Sequence, residues 1–426
     1  MKELLVFQGP VSSRSGYGDH SRDIVRSLLS MDRFEILIAD TNWGACPRNG
    51  LKEGDVEIKK RIMQGRELNR QPDIFMQCSV PNEFRNIGKF NIGITAGIET
   101  TICSPEWLEG LNRMDLNIVP SEHSKNVFKN VTWDRKDKNT GQVVGNLVCE
   151  KPVEVLFEGV DTKVFNHKIK VPEELSEELS SIKENFCFLV CGHWLQGGFG
   201  HDRKDIATTL KVFLETFKKN PSTTRPGLIL KTSSATFSVI DREQMLEKIQ
   251  KVVESTGIKN PPNIYLLHGD LTAEEMNGLY NHPKVKAMVS FTKGEGYGRP
   301  LAEFSTSGKP ILVSNWSGHL DFCKHVIKLP GELKNVHDSA AWDKMILKDS
   351  KWFYVNSGYA SRCMKEVFKK YKKFLGDAKK QRALVSKEFD LETMTKDFQT
   401  IFKKFVPQKA EIKLPKLKLP KLKQKV

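Results

Sequence analysis

Short apolar runs alternate along the chain with segments whose apolar residues recur at helical spacing, the pattern of parallel α/β units. Leu4–Phe7, Phe34–Ala39, Ile74–Cys78, Asn91–Thr95 and Leu116–Val119 predict strands in the first part. Between the first two of these, His20–Met31 puts Ile24, Val25, Leu28 and Leu29 on one helical face. Asp134–Glu150 is polar and contains Asn139-Thr140-Gly141, which predicts a surface excursion or hairpin. A second series begins after Val160-Asp161, with strands at Phe186–Cys191, Gly227–Lys231, Ile264–His268, Lys286–Thr292 and Ile311–Ser314. Helices are expected at Asp205–Lys219, Arg242–Thr256 and Ala273–Asn281. Ser361–Leu375 predicts one amphipathic helix, its stripe made by Met364, Val367, Phe368, Tyr371, Phe374 and Leu375. Leu391–Phe405 predicts another, with Met394, Phe398, Ile401, Phe402 and Phe405 facing the protein.

Length and charge sharpen this picture. The chain has 426 residues, and single cores stop growing near ~250–300 residues, so two domains are expected. The formal charge of +15 is concentrated late in the sequence. Nine Lys and Arg between 362 and 382 face two acids, and seven Lys between 407 and 426 face one. The last segment repeats Leu-Pro-Lys-Leu-Lys, and its prolines forbid a stable helix; a disordered, low-complexity basic tail is expected. The lysine-rich helix and tail are candidates for contact with an anionic membrane surface or nucleic acid, against the simpler reading of a solvated face. No apolar run approaches the ~18–20 residues that span a bilayer, and Gly9-Pro10 ends the first apolar stretch too early for a signal peptide. A cytoplasmic location is expected, with peripheral membrane contact as the variant that the basic tail suggests. The 8 cysteines contain no CxxC pair, and buried, inert thiols are expected.

The segment from Ala287 to Pro310 carries the chemistry. A strand ends near Thr292, a glycine-rich turn follows, and Pro300 is expected as the first residue of a helix. Free amides at such a helix start attract a diphosphate, and the glycines are expected to let that ligand come close. Glu295 falls in the turn and Glu303 in the expected first turn of the helix. Each can accept hydrogen bonds from adjacent hydroxyls, so one can hold a sugar and the other a ribose. The competing reading makes Glu295 a solvated loop charge and Glu303 a complement to the helix dipole.

Glu295 and Glu303 stand eight apart, with Gly296-Tyr297-Gly298 and Pro300-Leu301 between them. This resembles the E-x7-E signature of the retaining GT-B glycosyltransferases, the large group containing sucrose, trehalose and mannosyl-lipid synthesising enzymes. Leu156–Phe165, with Gly159-Val160-Asp161, is similar to that family's interdomain segment. Val119-Pro120-Ser121-Glu122 and Thr95–Thr100 with Pro105 and Trp107 resemble further segments, and Gly16-Tyr17-Gly18 stands where the family has a glycine loop before its first helix. Gly192-His193 through Arg203-Lys204-Asp205 resembles the family's diphosphate clamp, with Lys204 in the lysine's place. His193 replaces the family's arginine there, and Gln196–His201 is a glycine-rich insertion.

The resemblance implies two Rossmann-like domains facing across a cleft, an α/β GT-B fold. Residues 1–157 would form the acceptor-side domain and 158–387 the nucleotide-sugar domain. Residues 388–406 would be a helix crossing back, and 407–426 the tail. It implies a hexosyl- or pentosyltransferase using a nucleotide-diphosphate sugar as co-substrate, with retention of configuration and no cofactor. Glu295, Arg203 and Lys204 would be catalytic. Glu303, Gly296, Tyr297, Gly298, Gly16, Gly18, His193 and His319 would bind donor, and Glu99 would face them from the acceptor side. No Asp-x-Asp occurs, which speaks against the glycosyltransferase design that holds a divalent cation with such carboxylates. Base recognition is expected near His268-Gly269-Asp270-Leu271. Three other readings stay open at this point: transfer to a modified base in DNA, epimerisation of a nucleotide sugar, and non-catalytic binding of nucleotide sugar or polyanion.

Overall fold

The structure is a computed structural model and describes residues 2–407 except 138, 196 and 235. Most of the tail expected to be disordered, residues 408–426, lies outside the described residues, as does Gln196 in the glycine-rich insertion.

The first half follows the β-α alternation closely. In chain order it contains β1 (Glu3–Gly9), α1 (Gly16–Ser30), β2 (Phe34–Asp40), α2 (Val56–Lys59), β3 (Ile74–Cys78), β4 (Phe90–Ile94), α3 (Pro105–Asn112), β5 (Leu116–Val119) and α4 (Glu122–Asn130). The polar excursion is the antiparallel hairpin β6 (Trp133–Lys136) and β7 (Val143–Leu147), after which β8 (Val153–Val155) completes the sheet. That sheet is parallel throughout, in the order β2-β1-β3-β4-β5-β8. β3 and β5 are buried along their whole length, which is why their sequences are continuous apolar runs rather than alternations.

The second half contains α5 (Glu173–Ser180), β9 (Cys187–Cys191), α6 (Ile206–Phe217), β10 (Gly227–Lys231), α7 (Val239–Ser255), β11 (Ile264–Leu267) and α8 (Ala273–Asn281). It continues through β12 (Val285–Ser290), α9 (Arg299–Ser305), β13 (Ile311–Ser314), β14 (Ile327–Leu329), the antiparallel pair β15 (Gly331–Asn335) and β16 (Lys351–Val355), α10 (Ser357–Lys369) and α11 (Tyr371–Glu388). Its parallel sheet runs β11-β10-β9-β12-β13-β14. The order reverses direction between β9 and β12, so the crossovers from these neighbours leave on opposite sides and open a crevice at their carboxyl ends.

The chain then returns. Val160 bonds to the backbone on both sides of Asp390 across the junction, its N donating to Phe389 O at 2.9 Å and its O accepting from Leu391 N at 2.9 Å. The last helix, α12 (Leu391–Phe405), packs on the first half, where Phe402 meets Phe34 edge-on at 5.8 Å and Thr395 hydrogen-bonds Ser27 at 2.8 Å.

Four local expectations are corrected. Gly16 and Gly18 do not form a loop before a helix; they lie in the first turn of α1, which starts at Gly16 because the Ser15 side chain accepts from Gly18 N. The expected single helix Ser361–Leu375 is broken at Lys370 (φ −126, ψ 38). Its apolar stripe still faces one core, where Met364, Val367, Phe368, Tyr371 and Phe374 join the cluster around Phe188 and Phe213. Arg299, not Pro300, is the first residue of α9, capped by Gly298 at φ +100. Glu303 is consequently the fifth residue, beyond the first turn, and pairs with Arg299 one turn back rather than complementing the dipole.

Candidate active site at the crevice between the two sheets

β9 and β12 deliver the central group. After β9 the chain turns at Gly192 and returns at Arg203-Lys204, where the Lys204 stem lies 3.4 Å from the position a Gly192 Cβ would take. After β12 it enters the Glu295 loop. Lys204 Nζ meets Glu295 Oε1 at 2.5 Å, and Arg203 Nη1 donates to Glu295 Oε2 at 3.1 Å and to Gly294 O at 3.0 Å. Burial works against charge on Glu295, yet the Lys204 and Arg203 cations prevail and hold its carboxyl down to about 2. Arg203 Nε also lies 3.7 Å from Glu99, which comes from the loop after β4 in the other half. Ser317, at φ +84, accepts from Glu295 N at 2.9 Å and fixes the loop from the β13 side.

What holds Arg203-Lys204 in place is a residue that pattern reading missed. Lys293 is fully buried. Its ammonium donates to Gly200 O at 2.6 Å and Asp202 O at 2.9 Å, sits 3.4 Å from Asp205, and lies 4.7 Å from the centre of the Tyr354 ring. Its backbone N donates to Arg203 O at 2.8 Å. A lysine beside a glycine in a loop reads from sequence as a solvated charge, so nothing marked it.

The glycines of the Glu295 loop serve a purpose other than the one expected. A Cβ on Gly294 would lie 1.9 Å from Glu99 O, and one on Gly296 would lie 1.9 Å from Ala96 O. They admit the backbone of the first half rather than a ligand in this arrangement. Ser121 Oγ donates to Gly296 O at 2.6 Å, and Tyr17 Oη accepts from Ala96 N at 3.1 Å, so the loop after β4 is fixed as well. Further contacts across the halves are Arg14–Asp270 at 2.9 Å and Lys52–Glu274 at 2.9 Å.

Glu303 belongs to a neighbouring network. Arg299, which sequence reading passed over, reaches Glu303 at 3.2 Å, Asp23 of α1 at 2.9 Å and Glu158 of the junction at 3.8 Å. Tyr280 Oη donates to the other Glu303 oxygen at 3.3 Å. Burial raises the Glu303 carboxyl to about 7 and that of Glu158 to about 8, against the pull of Arg299. Burial and the Arg299 charge press His20 down to about 3.

No protein-family model matches the sequence, and no curated protein matches it at the level of sequence. Solved structures do match along nearly the whole chain. HepE from Anabaena in complex with UDP and glucose superposes with a TM-score of 0.59 at 13% identity, covering 94% of this chain and 100% of that one. Sucrose-phosphate synthase from Thermosynechococcus elongatus gives 0.61 at 9% identity over 95% and 99%. A glycosyltransferase from Rickettsia africae gives 0.61 at 12% identity over 95% and 99%. The fold is GT-B. In the GT-B frame the crevice between the two sheets is the cleft, and Glu295, Arg203, Lys204 and Glu99 gather there.

The remaining candidates divide around that GT-B cleft. His193 stands beside the cations, its Nδ1 3.2 Å from Ser233 Oγ, and burial together with Lys204 lowers its pKa. His319 is enclosed in the core behind Gly298, with Nε2 bonded to Ser314 O at 2.8 Å. Tyr297 is buried against Phe322 at 4.9 Å. Gly18 packs on the turn before α1, where a Cβ would meet Ser13 O at 2.1 Å, whereas Gly16 has open space around it. His268 is bonded to Asp241 at 2.7 Å and Asp270 is taken by Arg14. Among the described residues no helix is long and apolar enough to cross a membrane.

Proposed function

We propose that this chain is a glycosyltransferase that moves a sugar from a nucleotide-diphosphate donor to an acceptor, retaining the anomeric configuration. The observation that carries the reading is Glu295, a buried carboxylate gripped by two adjacent cations at the switch point of one GT-B sheet and facing the other. The neighbours' bound UDP and glucose support a nucleotide-sugar donor. In this reading residues 158–387 bind donor and 1–157 face the acceptor.

Arg203 and Lys204 meet the diphosphate, whose charge grows as the bond to the sugar breaks; fixed cations in a dry site stabilise that charge most. Glu295 stays ionised across the working pH range and accepts hydrogen bonds from sugar hydroxyls. It also holds the two cations in register while the site is empty. Glu303 addresses the ribose, oriented by Arg299 and Tyr280. His193 and the Gly296–Gly298 turn border the donor, and Glu99 closes the site from the other half through Arg203. Opening at the glycine contact admits the donor, and closure excludes water that would otherwise compete as acceptor.

The test is a screen of UDP-, GDP- and ADP-sugars for stabilisation and turnover, followed by Lys204→Ala and Glu303→Ala. Each variant is expected to lose at least tenfold in turnover while keeping its circular dichroism spectrum. Unchanged turnover in both would overturn these roles.

A further inference from the structure

Beyond the cleft, the chain has a second basic recess. A cavity of about 370 Å³ opens where the junction segment passes α11, lined by Thr162, His167, Lys168, Thr306, Arg382 and Ser386 among others, with no Asp or Glu in its lining. A volume of this size accommodates a small metabolite. The other described cavity, about 560 Å³ beside α12, contains Glu3 already paired with Arg33 at 2.8 Å and has no comparable surplus of charge.

Arg382 is the unusual member. Its guanidinium rests over Gly308, where a Cβ would lie 3.2 Å from Nη1. Arg22, Arg203 and Arg299 each pair with a carboxylate, and buried Arg225 is held by Asn260. Among the described residues Arg382 has no ion pair, and the hydroxyls of Thr162 and Ser386 have no partner. Thr306 directs its proton to Glu303 O at 2.7 Å, so Thr162 and Ser386 supply the hydroxyl donors. The local field is positive: burial, Arg382 and Lys168 together lower the His167 pKa.

We propose that this recess binds a phosphate monoester. Arg382 offers the planar fork of donors that matches a phosphate group, Lys168 adds a point charge, and the two hydroxyls complete the shell. The site joins residues 162–168 to residues 382–386, two segments of the second half that flank the backbone contact of Val160 with Phe389 and Leu391. A ligand there ties those two segments together. The proposal does not depend on the donor-site reading.

The experiment is thermal denaturation of the full chain with glycerol 3-phosphate, inorganic phosphate or glycerol, at ionic strength fixed with chloride. A saturable rise in Tm is expected with the two phosphates and not with glycerol; the tighter of the two identifies whether the ester or the bare anion is preferred. Arg382→Ala and Ser386→Asp are expected to weaken the apparent affinity at least tenfold, and Lys168→Ala, on an exposed residue, to weaken it without touching the packing. Lys204→Ala is expected to leave it unchanged. A response that survives all three recess variants, a response lost in Lys204→Ala alone, or no response at all would overturn the proposal.

Discussion

Gly296→Ala isolates the contact between the two halves. Gly296 is not among the glycines at positive φ, so alanine suits its backbone and the effect is steric. The new Cβ would lie 1.9 Å from Ala96 O and 3.3 Å from Gly97 Cα. Both are backbone atoms, and Ala96 is itself held by Tyr17, so no flexible side chain can yield. Forcing a methyl group into a packed contact costs ~1–3 kcal/mol. Each half has its own sheet and a core cluster of its own beside the one they share, so the cheapest relief is for the halves to part at the glycine contact. A coupling of ~1–3 kcal/mol corresponds to a 5–150-fold change in an equilibrium, and the closed-to-open ratio is expected to fall by that factor. Small-angle scattering should show a larger radius of gyration, donor turnover should fall with the closed fraction, and Tm should change little. Gly376→Ala, inside α11 with nothing near its added Cβ, is the control. It should gain ~0.5–1 kcal/mol of stability from reduced chain entropy and keep wild-type scattering and turnover. A Gly296→Ala protein as compact and as active as the wild type would refute the steric argument.

Lys293→Met keeps much of the side-chain volume but removes the cation beneath the Arg203-Lys204 segment, leaving Asp205 and two carbonyls without their donor. A loss of ~3–5 kcal/mol in denaturant unfolding is expected, with faster proteolysis between residues 197 and 202; wild-type behaviour in both would count against the buried ammonium. Glu158→Gln tests the junction network. The folded protein holds the Glu158 proton up to about 8, against 4.5 for the ordinary carboxyl, so the folded state binds more protons than the unfolded chain between these values. Its contribution to stability therefore declines as pH rises from 4.5 to 8. The wild-type Tm should drop more steeply from pH 5 to pH 8 than that of the variant, and parallel curves would refute the assignment.

Much of this arrangement could be read along the chain because parallel strands are buried on both faces and leave continuous apolar runs. The expected strands Ile74–Cys78, Leu116–Val119, Gly227–Lys231 and Ile311–Ser314, and the helices Ala273–Asn281 and Leu391–Phe405, coincide with the observed elements. β8 and β14, each three residues long, carried too few apolar residues to stand out. The pairing of Glu295 with Arg203-Lys204 was approached through motif order and spacing, since a local pattern can place a carboxylate on a turn but cannot aim it.

The sequence by itself determined the alternation of strands and helices, the amphipathic last helix and the glycine-rich turn after β12, because periodicity and backbone preference are local properties. Only the tertiary structure decided what those parts meet. Lys293 became a buried brace, Arg299 the centre of three enclosed carboxylates, and Gly294 and Gly296 the seam between two sheets. Each depends on residues far away in sequence, and the free energy of a buried charge or a close backbone contact is set by what surrounds it in space.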